Sequence, residues 1–77
     1  MENINVVFGL NIRDLRKKKG LSQEALAYMA NINRNYLGCI ERGENSPTLE
    51  VIWSLSRALN IDICDLLLKI EKEIVQS

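Results

Sequence analysis

The sequence predicts an all-α fold: a compact five-helix bundle of 77 residues with a helix-turn-helix at about residues 22–43. Three observations support this. Apolar residues recur at three- and four-residue spacing along most of the chain, the period of a helix with one buried face. Residues suited to starting or stopping a helix, such as Ser22, Gly20, Asn31, Asn33 and Gly43, punctuate those runs. Between Ser22 and Gly43 the start and stop signals lie close together and read as two short helices joined by a tight turn. No Pro- or Ser-rich tract and no internal repeat divides the chain, so residues 1–77 are expected to form one domain.

The elements follow in order. The first five residues read as frayed, with Ile4 able to join what comes next. From about Val6, Phe8, Ile12 and Leu15 form a core stripe in a helix that ends at Gly20, after Lys17, Lys18 and Lys19 at the negative helix end. Ser22 caps a helix beginning at Gln23. Leu26, Ala27 and Ala30 lie together there, Asn31 stops the helix, and Ile32 is buried under the turn. Asn33 caps a second helix that runs through Arg42 to Gly43. After the loop Glu44-Asn45-Ser46-Pro47, Pro47 suits the first turn of a helix whose core face is Leu49, Ile52, Ser56 and Leu59. Asn60 breaks the pattern, and Asp62 caps a last helix with Ile63, Leu66, Leu67, Ile70 and Ile74 on its core side. These C-terminal helices cover about 48–74.

So short a chain buries only a modest core, and oligomerisation often contributes at this size. The last two helices carry more apolar residues than one core needs. Val51, Trp53, Leu55, Cys64 and Leu68 are therefore expected to form a two-fold homodimer interface, the alternative for Trp53 being internal packing.

On a wheel of the second short helix, Tyr36, Leu37 and Ile40 share one face, and Asn35, Cys39 and Arg42 lie opposite, with Arg34 and Gly38 at the border. Arginine can fork onto guanine and asparagine onto adenine in the major groove, and a small residue permits close approach. The wheel alone does not separate such a face from an ordinary solvated one. Charge does not argue against double-stranded DNA, although the net charge is zero. Residues 1–43 carry seven basic and four acidic side chains, a net of +3, and residues 44–77 three basic and six acidic, a net of −3. Affinity for phosphates needs local positive charge, so weak non-specific binding is expected, with specificity left to a few base contacts.

The chain has no histidine, no glycine-rich phosphate loop and no catalytic pair of carboxylates, so it is not expected to be an enzyme. Cys39 and Cys64 are too few for a zinc site and are expected to be free thiols, and no metal or cofactor is expected. With no leader and no apolar run long enough to span a bilayer, no membrane partner and a cytoplasmic location are expected.

Several spaced motifs then occur in one order: Arg13-x-x-Arg16, Gly20-Leu21-Ser22-Gln23-Glu24-x-Leu26-Ala27, Ile40-Glu41-Arg42-Gly43 and Pro47-Thr48-Leu49. Together they resemble the Cro and phage-repressor (XRE-like) helix-turn-helix family over residues 8–68. Leu26-Ala27-Tyr28, Asn33-Arg34-Asn35-Tyr36-Leu37 and the Ile-Glu-Arg-Gly string are most similar to small controller proteins of restriction-modification systems. Asn35 stands where those proteins usually have Thr, which leaves the contact at that position open. The resemblance implies a lambda-repressor-like DNA-binding domain that regulates transcription as a homodimer on a palindromic operator. In the controller reading it would act on its own promoter and time endonuclease expression, with RNA polymerase a further partner.

The resemblance also implies residue roles. Arg16 and Glu41 form a structural pair bracing the first helix against the recognition helix. Gln23 is expected to reach a phosphate, Arg34 to read bases, and Asn35 and Cys39 to line the groove. Tyr36 offers its hydroxyl to phosphate while its ring supports the core, and Arg42 with the following loop holds the DNA backbone. Asn45 and Ser46 suit either phosphate contact or loop capping. A phage-type repressor, an antitoxin, and a helical interaction module without DNA binding are the competing readings.

Overall fold

The computed structural model describes residues 3–76, and these form five α-helices with no strand among them. They are α1 (Ile4–Lys18), α2 (Gln23–Ala30), α3 (Arg34–Glu41), α4 (Leu49–Ala58) and α5 (Ile63–Gln76). α1 begins earlier than expected because Asn3 caps it, its Oδ1 accepting from the Asn5 N–H at 2.8 Å. Residues 1 and 2 of the segment read as frayed lie outside the described residues.

The starts of α2, α3 and α4 use the same chemistry. Ser22 Oγ accepts from Ala25 N–H at 3.0 Å, Asn33 Oδ1 from Asn35 N–H at 2.7 Å and Thr48 Oγ1 from Val51 N–H at 3.2 Å. Thr48 rather than Pro47 therefore opens α4, and Pro47 sits just outside the helix instead of in its first turn. Asp62 precedes α5 and accepts from Leu66 N–H through its main-chain carbonyl at 2.9 Å.

Four helix ends share one device. Gly20, Asn31, Gly43 and Asn60 take left-handed backbone, with φ of 70°, 59°, 75° and 57°. The next residue then turns its N–H back onto the helix: Leu21 to Arg16, Ile32 to Ala27, Glu44 to Cys39 and Ile61 to Ser56, at 2.9–3.1 Å. Each bond satisfies a carbonyl that the last turn leaves without a helical partner.

α1 packs on α3 and α5, α2 on α3 and α4, and α4 on α5. Between them lie Phe8 and Ile12, Leu26 and Ala30, Leu37 and Ile40, Leu55 and Leu59, and Leu66 and Ile70, all buried. The approach of α1 to α3 depends on Gly9, where any Cβ would collide with the main-chain carbonyl oxygens of Ile40 and Glu41. Asn11, a buried polar residue on α1, donates to the Val7 carbonyl at 2.9 Å and to Glu73 Oε2 of α5 at 3.1 Å. Ser56 is fully buried because its hydroxyl donates to the Trp53 carbonyl at 2.7 Å.

The exposed apolar surface differs from the expected one. Leu55 is 0% exposed and belongs to the core, so it cannot serve in a dimer interface. It joins Ile52, Ser56 and Leu59, spaced three, four and seven residues apart, as the inward stripe of α4. Leu49, expected in that stripe, is 71% exposed at the first residue of the helix, one turn before the packing begins. Leu67 also faces out, because Leu66 and Ile70 hold the centre of the inward face of α5. Trp53 is 54% exposed, which removes the internal-packing alternative, and Arg57 lies over its ring with the guanidinium carbon 5.8 Å from the centroid.

α3 is locked to the bundle by Arg16 and Glu41. Arg16 Nε donates to Glu41 Oε2 at 2.7 Å and Arg16 Nη2 to Oε1 at 3.0 Å, a bidentate pair whose side chains are only 11% and 3% exposed. Arg16 Nη1 also donates to the Leu21 carbonyl at 2.9 Å, and Gln23 Nε2 to Glu41 Oε1 at 3.0 Å. α1, the α1–α2 turn, α2 and α3 thus converge on one buried ion pair, with Arg16 and Gln23 on the carboxylate and the Leu21 carbonyl on the guanidinium. Removing one partner strands a buried charge, so Glu41→Ala is expected to cost about 3–5 kcal/mol in urea denaturation. Replacing both partners with apolar residues, Arg16→Met with Glu41→Leu, should cost much less. Equal losses would show that the pair's own attraction, not the stranded charge, dominates.

Candidate nucleic-acid interface

The polar face of α3 is built by the two short helices and the turn after them. Asn31 ends α2 in left-handed backbone and Asn33 starts α3 two residues later, so the α2 N-terminus and the outer side of α3 come together. Gln23, Arg34, Asn35, Gly38, Cys39 and Arg42 line one shallow groove there.

Arg34 and Asn35 are exposed at the N-terminal end of α3, and neither side chain forms a hydrogen bond or ion pair among the described residues. An arginine and an amide are thus held on a helix edge with their donors and acceptors directed to solvent. Tyr36 is half-buried with its ring against the core, as its place on the wheel implied.

Three other positions that line the groove are engaged by neighbouring side chains. Gln23 commits an amide proton to Glu41 instead of standing free for a phosphate, so it links the buried pair to the groove. Cys39 is half-buried, not exposed, and its Sγ accepts from Arg42 Nη2 at 3.5 Å. Arg42 is exposed but engaged: its Nε donates to Glu44 Oε2 at 2.9 Å and its Nη2 to Glu44 Oε1 at 3.3 Å. The hydrogen bond and charge of Arg42 hold the Glu44 carboxyl below the ordinary carboxylate range, and Glu44 raises Arg42 in turn.

Asn45 is half-buried and Ser46 exposed, and neither side chain is hydrogen-bonded among the described residues. Ser46 lines a different groove, with Ile4, Phe8, Pro47 and Ile52, and is not brought into the one along α3. The remaining expected interface residues also divide. Cys64 and Leu68 line an apolar groove with Ile4, Leu67, Ile74 and Val75, whereas Val51 and Trp53 line another with Ala30, Ile32 and Glu50.

Two members of the site had no functional reading in the sequence. Glu44 stands two residues from Arg42, a spacing that does not face on a helix. It reaches Arg42 because left-handed Gly43 folds the chain back over the last turn. The signal for it was Gly43 itself. Gly38, on the border of the wheel, gives the Arg42 side chain room, since a Cβ there would lie 3.2 Å from Arg42 Nη1.

Among the described residues no helix is long and apolar enough to cross a membrane, and no group of three or more His, Cys, Asp or Glu side chains is placed to hold a metal ion. Comparison with known proteins agrees with the geometry. A family model described as helix-turn-helix matches residues 12–66. The chain is 39% identical over 66 residues to the control protein C.BamHI of Bacillus amyloliquefaciens, covering 84% of this chain and 82% of that protein. It is similar to the crystal structure of the restriction-modification controller protein C.AhdI from Aeromonas hydrophila, with a TM-score of 0.78, 44% identity and coverage of 80% of this chain and 94% of that one. It is also similar to the controller protein C.Esp1396I, solved as a tetramer in complex with its natural 35 base-pair operator, with a TM-score of 0.86, 27% identity and coverage of 97% and 99%. With its two short helices, its unpartnered Arg34 and Asn35, and these relatives, the chain belongs to the XRE-like helix-turn-helix family of DNA-binding transcription regulators.

Proposed function

We propose that this regulator is the controller protein of a restriction-modification system, acting in the cytoplasm by binding DNA and not by catalysis. It works as a homodimer on a palindromic operator and governs its own gene and that of the endonuclease. The observation that carries the DNA-reading role is the pair Arg34 and Asn35, exposed on α3 with side chains that have no partner among the described residues. With α3 in the major groove, Arg34 reads guanine O6 and N7, and Asn35 reads an adjacent base edge or donates to the backbone. Tyr36 presents its hydroxyl to phosphate, and Asn45 and Ser46, whose side chains form no hydrogen bond among the described residues, fix the position of the backbone. The similarity to control proteins supports the narrower assignment. An activating role brings in RNA polymerase as the second partner.

For the dimer, the favoured surface is the exposed apolar side of α5, with Cys64, Leu67, Leu68 and Val75, together with Ile4 of α1. A protomer measuring 32 × 23 × 22 Å suits two recognition helices about 34 Å apart, one turn of B-DNA.

The reading is tested first by a gel-shift titration with the DNA immediately upstream of the chain's own gene, in rising salt and against random competitor. Salt-sensitive binding that survives competitor is expected, and Arg34→Ala should lose roughly 1–3 kcal/mol on the operator with relaxed base preference. Equal losses on operator and random DNA would remove Arg34 from base readout. No binding by a folded dimer would overturn the regulator reading. The interface is tested by light scattering: Leu68→Glu is expected to give a folded monomer, and Trp53→Ala to leave the dimer intact. The reverse pattern would move the interface to the α2–α4 side.

A further inference from the structure

The groove along α3 contains two cations, and they are in different states. The Arg34 side chain has no partner among the described residues, while Arg42 is engaged through two of its three guanidinium nitrogens. Glu44 takes its Nε and Nη2, and Cys39 Sγ accepts from the same Nη2. The guanidinium lies along the helix over Gly38, the one position where the missing Cβ leaves space for it. Glu44 is placed there by the Gly43 turn, whose geometry the bond from Glu44 N–H to the Cys39 carbonyl at 2.9 Å fixes. The contact is therefore set by backbone structure and not by a chance meeting of two long side chains.

We infer that Glu44 sets the sequence selectivity of this interface by holding Arg42 against α3 and withdrawing its charge from the DNA backbone. The inference rests on the reading of this groove as the DNA face. Contact with arbitrary DNA draws on phosphate neutralisation, and each cation that releases a counterion adds to it. With Arg42 paired to Glu44, Arg34 is the one unpaired cation among the described residues that line the groove, so a loosely docked, sequence-independent complex gains little. A complex on the operator gains mainly from base contacts by Arg34 and Asn35, which Glu44 does not touch. The carboxylate thus penalises the wrong sequences more than the right one. The neutral overall charge of the chain has the same tendency, and Glu44 applies it at the site itself.

The test compares wild type, Glu44→Gln, Arg42→Ala and the double variant by fluorescence anisotropy, on the upstream operator and on random duplex, over a range of salt. Glu44→Gln preserves shape and is exposed, so folding is not at risk. It is expected to bind random DNA about two- to fivefold tighter, matching the modest strength of an exposed ion pair, with less change on the operator and a lower specificity ratio. Its log–log salt slope on random DNA should steepen by about 0.9, one more phosphate contact. In the Arg42→Ala background the same Glu44 substitution should have no effect on affinity or slope, because the residue acts through Arg42. Unchanged random-DNA binding by Glu44→Gln, in a protein whose wild type binds the operator specifically, would overturn this inference alone. An equal gain with and without Arg42 would overturn it too, since Glu44 would then merely repel phosphate. Failure of the wild type to bind either DNA would overturn the DNA-face reading and this inference with it.

Discussion

The buried pair between Arg16 and Glu41 is the constraint on which the rest of the structure depends. α3 is only eight residues long, and a helix of two turns does not hold itself in water. Its apolar face supplies Leu37 and Ile40 to the core, which fixes its depth. Apolar packing is less demanding about rotation. The bidentate pair removes that freedom, because its geometry is satisfied over only a narrow range of angles. Gln23 and the Leu21 carbonyl bind the same two side chains, so the α2 N-terminus is registered against α3 by the same atoms. Gly9 is the steric half of this arrangement: without its bare α-carbon, α1 could not come close enough for Arg16 to reach Glu41.

With α3 fixed inward, its outer face is free to carry chemistry the fold does not need. The side chains of Arg34 and Asn35 form no hydrogen bond or ion pair among the described residues, which is the state expected of groups kept for a ligand. Charge and apolar surface are divided correspondingly. The basic half of the chain supplies the polar groove, and the acidic half carries the exposed apolar residues of α5. An acidic, apolar surface is poorly suited to DNA and well suited to a second protein. The proposed DNA face and the proposed dimer surface are thus lined by different residues.

Much of this was legible in the sequence because helix starts and stops are local chemistry. Ser22, Asn31, Asn33 and Gly43 act through hydrogen bonds to residues two to five away, and each takes the role its type suggests. The pairing of Arg16 with Glu41 spans 25 residues and no helical period relates them; it was legible only through resemblance to a family. Errors fell where two apolar faces compete. α4 and α5 are apolar over so much of their circumference that a wheel cannot tell which side meets the core, and Leu55 and Leu67 were accordingly exchanged between inside and outside. Gly9, Gly38 and Glu44 were missed for another reason. What matters at the glycines is an absent atom, and at Glu44 a chain reversal, and neither has a signature in residue spacing.

The central claim is that the outer face of α3, held by the buried pair, is the surface that meets DNA. The most direct test is an NMR titration of the 15N-labelled protein with the duplex upstream of its own gene. The largest amide and side-chain perturbations should fall at Arg34, Asn35 and Cys39, extend through the α2 N-terminus and the loop to Ser46, and leave Cys64, Leu67 and Leu68 on α5 unchanged. Perturbations concentrated on α4 and α5, with Arg34 and Asn35 silent, would contradict the account.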